Sequence, residues 1–427
     1  MTPTPPNRLL PLRWLPRAAP GLAAAILLGL LLYALGPGLA TTSDSRYYFA
    51  AARSFAAAGR LLNPDGTPYT SWGPLYPVLL AAGGGGGRWA AVLNGLGALT
   101  CLGAWSYLLR QLLPRRGVAA VLTLVLGLAV PWLITAKFVW AESVFQALFG
   151  LYAVALFRYL EAGRRGWLAA ATGLGLLMVL QRTSGLFLLL GSGLGVLLAY
   201  PEAARRQWRA LLLHGLVVGG TLGSWLLYAT RAAATPELYR SRGWQGLRET
   251  LGDYGYVLLR WLLPLQQSGW PKHWIFELLL PLLLLALALG AWRSPSRFGR
   301  LLGVVVLTYL LCHIGTTVMS RAGGNVYDVE RYAAVVYGPF VLVLGGALTW
   351  LRPGRRWPLL LLAAWLLYPA ARAVRVAQFC RQLPVAPPPA AALSGCSTAN
   401  ARPIGSLAGR LRSDSHCRWP NAGLQIP

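Results

Sequence analysis

The chain has 427 residues, 56% of them hydrophobic and only 12% charged, against roughly 25% charged in an ordinary soluble domain. That composition excludes a soluble globular fold, and apolar runs fill so much of the length that one membrane domain is expected rather than several soluble ones. The net charge of +27 is dispersed in short hydrophilic gaps between apolar runs, which points to anionic lipid headgroups and away from nucleic acid.

Hydropathy predicts an all-α, polytopic integral membrane protein of about eleven transmembrane helices. A short N-terminal tail, 1–18, leads into a transmembrane domain over 19–380. The predicted spans are Ala19–Ala40, Trp89–Leu109, Val118–Ala136, Ser143–Phe157, Trp167–Leu180, Gly185–Tyr200, Leu211–Thr230, Trp274–Trp292, Leu301–Ser320, Ala333–Leu351 and Leu359–Val376. The fourth, fifth and sixth are short for a hydrocarbon core of roughly 30 Å. The first is read as an uncleaved span, although Gly38-Leu39-Ala40 also resembles a signal-cleavage site.

The first outer loop, 41–88, carries structure of its own. Residues 45–59 read as an interfacial helix, with Arg46, Arg53 and Arg60 on one stripe and Tyr48, Ala52 and Phe55 on another. Asn63-Pro64-Asp65-Gly66 is a turn, Trp72-Gly73-Pro74-Leu75-Tyr76-Pro77 a rigid aromatic turn, and Gly83–Gly87 a hinge. Further amphipathic turns are expected over 236–263. The tail 381–427, rich in Pro, Ala, Ser and Arg, is expected to be poorly ordered and to lie outside. Its Cys396 and Cys417 either pair or remain thiols.

Basic residues set the orientation. With the N-terminus cytoplasmic, each inner segment carries three arginines: Arg8, Arg13 and Arg17; Arg110, Arg115 and Arg116; Arg158, Arg164 and Arg165; Arg205, Arg206 and Arg209; Arg293, Arg297 and Arg300; Arg352, Arg355 and Arg356. Of the twelve carboxylates, only Glu161 and Glu202 fall inside. The scarce acids are gathered on the outer face, where chemistry is expected.

Four residues stand out there. Asp44 can cap the helix that follows it, or act as a base or metal ligand. Glu142, five residues after Lys137, is either a surface pair with that lysine, a carboxylate favoured by a helix N-terminus, or a functional acid. Arg331 and Arg182 either snorkel to headgroups or bind a phosphate. His214 and His313 are isolated in apolar spans and read as hydrogen-bonded core residues. No nucleotide-binding glycine loop, G-x-S-x-G or H-E-x-x-H is present in the sequence. No ligand cluster supports a metal site; the cofactor is left unknown and a divalent metal stays open.

Several short motifs, in order, carry a resemblance: Thr42-Ser43-Asp44-Ser45, Asp65-Gly66-Thr67-Pro68-Tyr69, Trp72-Gly73-Pro74-Leu75-Tyr76-Pro77, Ala141-Glu142-Ser143-Val144-Phe145, Gln181-Arg182-Thr183-Ser184-Gly185 and Glu330-Arg331-Tyr332. Over about residues 19–350 the layout resembles the GT-C membrane glycosyltransferases, in the branch of protein O-mannosyltransferases (family 39), aminoarabinose transferases and RgtA/B/C/D-like proteins. The resemblance implies transfer of a sugar from a polyprenyl-phosphate donor to a hydroxyl of a glycan, lipid or protein, with inversion, on the periplasmic face of a bacterial inner membrane. It implies Asp44 as base and Glu142 as its partner. Arg331, with Arg182 or Lys137, would hold the carrier phosphate, and Tyr47, Trp72, Tyr76 and Tyr332 would contact substrate. The single acid in the first motif departs from the pattern, as does a short tail expected to be poorly ordered where relatives often carry a folded outer domain. A transporter or lipid flippase is the alternative from another class; a membrane scaffold and an O-antigen ligase or polymerase are others.

Overall fold

The computed structural model describes residues 15–232, 242–265, 273–320, 326–348 and 357–385. The predicted tail from 386 on, with Cys396 and Cys417, lies outside these residues, as does the arginine triplet Arg352, Arg355 and Arg356. The described chain is mostly helical. In order it forms α1 (Leu15–Leu35), α2 (Ser43–Ala58), α3 (Leu75–Ala82), α4 (Gly87–Leu112), α5 (Arg116–Gly127), α6 (Val130–Lys137), α7 (Glu142–Ala162), α8 (Arg165–Gln181) and α9 (Gly185–Ala199). Then come α10 (Pro201–Arg206), α11 (Trp208–Ala232), α12 (Gly243–Arg260), α13 (His273–Trp292), α14 (Arg297–Met319), α15 (Val326–Ala333), α16 (Tyr337–Leu348), α17 (Trp357–Trp365) and α18 (Leu367–Gln382).

Among the described residues, nine helical segments are long and apolar enough to cross a membrane. Two further predicted spans form shorter helices. α9 has 15 residues and α8 has 17, or about 22 and 26 Å at roughly 1.5 Å per residue. The fourth span is longer than predicted: α7 runs 21 residues, through Arg158 and Glu161, because a charged last turn can reach out of the hydrocarbon. The third span is broken into α5 and α6 just before Pro131, which has no N–H to continue the ladder. The segment predicted as amphipathic turns contains one packed helix, α12, with most of residues 252–260 buried.

The helices pack as neighbours, α4 on α7, α7 on α8, α9 on α14, α1 on α5 and α12 on α13. Close approach of α7 to α4 needs Gly97, where a Cβ would lie 2.7 Å from the Ser143 carbonyl oxygen. That contact seats the first turn of α7. By contrast α11 leans on α8 and buries only Val218 and Leu222, so most of its other leucines face outward, as lipid permits.

One end of the bundle is tied together by backbone groups that lipid could not satisfy. After α1 the chain pairs with the chain after α6: Ala40 N donates to Lys137 O at 3.0 Å and Val139 N donates to Ala40 O at 3.1 Å. The buried Lys137 amine donates to the free carbonyls at the end of α1, Ala34 O at 3.0 Å and Gly38 O at 2.7 Å. Asn94 does the same for α6, donating to Ala136 O at 3.2 Å and Phe138 O at 2.7 Å. Its own oxygen accepts from Tyr76 at 3.1 Å. These side chains terminate helices whose last carbonyls would otherwise be orphaned.

On this frame sits the first loop. α2 is preceded by Thr42, whose N–H donates to Ser45 Oγ at 3.0 Å. Thr42 is therefore the cap, and Asp44, expected as a candidate cap, lies inside the first turn where the helix dipole favours a carboxylate. Residues 61–69 form a small hairpin, with Tyr69 N donating to Leu61 O at 3.0 Å and Gly66 in the left-handed region at φ 82°. The Thr67 hydroxyl and amide both donate to Asp65, holding its carboxyl below the usual range.

Lys137→Met removes both donors that terminate α1, at about 1–3 kcal/mol for each orphaned carbonyl. A clear fall in the apparent Tm of the detergent-solubilised protein is expected; an unchanged Tm would contradict the capping role.

Candidate functional site

The site is built where α2, α7, α15 and the turn between α8 and α9 meet. Glu142 opens α7 and is fully buried. Its Oε1 accepts from both Arg331 Nε and Arg182 Nη1. Arg331, on α15, turns Nη2 to Asp44 Oδ2 at 2.8 Å. One guanidinium thus joins residues 44, 142 and 331. Exposure grades across the group: the side chain of Glu142 is 1% exposed, Arg331 5%, Arg182 13% and Asp44 19%. Asp44 is the most exposed member. Two acids and two guanidinium groups balance, which is what burial of charge requires.

Aromatic rings frame the charges. The Arg331 guanidinium lies 4.5 Å from the centre of the Trp140 ring and 5.6 Å from that of Tyr332, and Arg182 lies 5.7 Å from Tyr332. Trp140 is fixed by donating to Thr42 Oγ1 at 2.9 Å. Tyr332 stacks on His313 at 4.6 Å, and Tyr254 OH is 3.0 Å from His313 Nδ1. Burial opposes the charge of Arg182, yet the neighbouring carboxylate of Glu142 outweighs it and the Arg182 pKa is raised. Burial likewise pushes the Tyr48 phenol up, with Arg182 pulling against it.

A second ion network lies on another side of α15. Glu330, next to Arg331, accepts from Arg372 Nη2 at 3.1 Å and from Trp261 Nε1 at 3.3 Å. Arg372 also donates to Arg260 O at 3.2 Å. Adjacent residues of one helix are therefore held by partners of opposite sign, which sets the rotation of α15. Sequence reading missed Arg372, although an arginine inside a predicted span is itself a signal.

Of the predicted site residues, Asp44, Glu142, Arg331, Arg182 and Tyr332 converge. Tyr47 and Trp72 are close by, with rings 5.6 Å apart. Two do not join the cluster. Lys137 neither pairs with Glu142 at the surface nor faces the arginines, because its amine terminates α1. Tyr76 is fully buried, donates to Asn94 and supports Tyr48 from behind at 5.1 Å. His214 is hydrogen-bonded in the bundle, 2.9 Å from Thr172 Oγ1. Among the described residues no group of three or more His, Cys, Asp or Glu is arranged to hold a metal. A groove of about 830 Å³ runs between loop 1 and α11, lined by Phe55, Leu61, Tyr69, Leu180, Trp225 and Tyr228 among others.

No protein-family profile matches the chain, and no curated protein matches it in sequence. Its backbone does match solved structures. The aminoarabinose transferase ArnT from Cupriavidus metallidurans bound to undecaprenyl phosphate aligns with TM-score 0.53 at 16% identity, over 84% of this chain and 70% of that one. The same transferase in the apo state aligns with TM-score 0.54 at 18% identity, over 84% and 69%. Both are GT-C membrane glycosyltransferases, and at this identity the likeness bears on the fold. The chain is a polytopic membrane protein with the GT-C fold.

Proposed function

We propose that this protein is a glycosyltransferase that moves a sugar from a polyprenyl-phosphate carrier to a hydroxyl acceptor at the outer face of a bacterial inner membrane. The observation that carries the reading is the single guanidinium of Arg331 shared between Asp44 and Glu142. A polyprenyl phosphate in the similar ArnT structure supports the choice of carrier.

The chemistry follows from the charges. A phosphate leaves as an anion and needs positive charge more than a proton donor. Arg331 and Arg182 supply it. The bonds to Glu142 and Asp44 use Nε and Nη2 of Arg331, and neither uses Nη1. The acceptor oxygen attacks the anomeric carbon as the bond to the phosphate oxygen breaks. The acceptor proton passes to Asp44, the more exposed carboxylate, and polyprenyl phosphate departs. Direct displacement inverts the anomeric centre. Glu142, buried behind, fixes both arginines. The apolar groove beside Tyr69 gives the prenyl chain a seat.

The N-terminus is assigned to the cytoplasm, since alternation of the helices carries the arginine-rich turns after α4, α7, α9 and α13 to the end opposite Asp44. In spheroplasts of a cysteine-free background, Ser71→Cys is expected to react with an impermeant maleimide and Ala162→Cys only after lysis. The reverse pattern would overturn the orientation.

Transfer is to be measured in proteoliposomes by mass spectrometry with a panel of polyprenyl-phosphate pentoses and hexoses. Asp44→Asn is expected to lose about 10²-fold or more in turnover with little change in donor KM. Arg331→Lys is expected to raise donor KM, since a point charge cannot replace the guanidinium fork. Full turnover in Asp44→Asn would eliminate the base assignment, and absence of transfer from every donor would remove the transferase reading.

A further inference from the structure

Four buried polar atoms beside the charged cluster have no hydrogen-bond partner among the described residues: Tyr48 OH, Tyr69 OH, Glu142 Oε2 and Gln181 Oε1. Their residues are fully buried. Such groups are rare in folded proteins because each has given up water for nothing, so four in one place call for an absent partner.

They are in one place. Tyr48 and Tyr69 both pack on Trp72, with ring centres 5.4 and 6.3 Å away. The next residue, Gly73, touches the chain at Gln181 so closely that a Cβ would lie 2.2 Å from Leu180 O and 2.7 Å from Gln181 O. Gln181 Nε2 donates to Ala141 O at 2.9 Å, which leaves its oxygen open immediately beside Glu142. Both arginines take Oε1 of Glu142, which leaves Oε2 open. Tyr48 lies within electrostatic reach of Asp44, Glu142, Arg182 and Arg331, and Tyr69 within reach of Tyr48, Asp44 and Arg182.

The open atoms define their ligand. Two are pure acceptors, one of them anionic, so they repel a phosphate. The two phenols both donate and accept. A ligand that satisfies all four presents several groups that each donate and accept, which is a polyol.

We propose that Tyr48, Tyr69, Gln181 and the open oxygen of Glu142 form the pocket that reads the hydroxyl groups of the transferred sugar. The proposal rests on the carrier reading above and adds where donor choice is made. A pocket built to hydrogen-bond a hydroxyl rejects a ligand lacking it far more strongly than an apolar pocket rejects a missing methylene.

Tyr48→Phe and Tyr69→Phe each delete one open hydroxyl and nothing else. Binding to the purified full-length protein in nanodiscs is to be measured for bare polyprenyl phosphate and for the same lipid carrying a panel of pentoses and hexoses. Wild type is expected to bind at least one sugar-bearing lipid more tightly than the bare lipid. The variants are expected to lose about tenfold of that preference, with Tm unchanged in both and bare-lipid affinity unchanged in Tyr48→Phe, because the deleted hydroxyls hold no partner among the described residues. Preference retained in both variants, or Tm lowered with preference intact, would overturn the pocket and leave the hydroxyls to structural water. No sugar preference in wild type would overturn it too, while binding of bare polyprenyl phosphate would leave the carrier reading standing. Failure of every lipid to bind would remove the carrier reading and the pocket together.

Discussion

The ion pairs of Arg331 with Glu142 and Asp44 are the constraint on which the rest of this structure depends. Each partner comes from a different part of the chain, and each would be costly to bury alone. Removing one member of a buried pair costs about 3–5 kcal/mol, because the other is left charged without compensation. Bringing them together therefore dictates where α2, α7 and α15 end and which way each faces. Arg182 completes neutrality, and the pairing of Glu330 with Arg372 turns α15 so that Arg331 points inward.

The candidate site lies at the end of the bundle where the helices are closed off. Helix ends and irregular chain need partners that hydrocarbon does not offer. Here they are found in buried side chains, Lys137 for α1 and Asn94 for α6, and in the paired chain around Ala40 and Val139. The turns so closed are rigid, and rigid turns can carry Asp44, Trp140 and Arg182 at fixed separations. On the proposed reading, fixed separations spare the site reorganisation when a phosphate binds.

Much of this was legible in the sequence, for reasons that differ by residue. Apolar runs gave the helices, since crossing a membrane leaves few alternatives. The exceptions were the places where a backbone break or a charged turn altered length, at Pro131 and at Arg158 to Glu161. Alternation across the bundle carried Asp44, Glu142 and Arg331 to one end, because scarce carboxylates in a basic chain are placed with purpose. What the sequence did not disclose was direction. Lys137 and Tyr76 share the neighbourhood of the site yet turn their polar atoms to Ala34 O, Gly38 O and Asn94. Thr42, rather than Asp44, precedes α2 as its cap. Arg372 was visible as an arginine inside a predicted span, but its partner Glu330 is not legible in the sequence. Each of these depends on tertiary neighbours far away in the chain.

The central claim is that a polyprenyl phosphate is held by the guanidinium that joins Asp44 to Glu142. A cryo-EM structure of the protein in nanodiscs with bound polyprenyl phosphate tests it most directly. The account requires density for the phosphate within hydrogen-bonding distance of Arg331, with Asp44 beside it and facing the opening. Phosphate density well resolved elsewhere, with the Arg331 pairs undisturbed and closed to ligand, would contradict it.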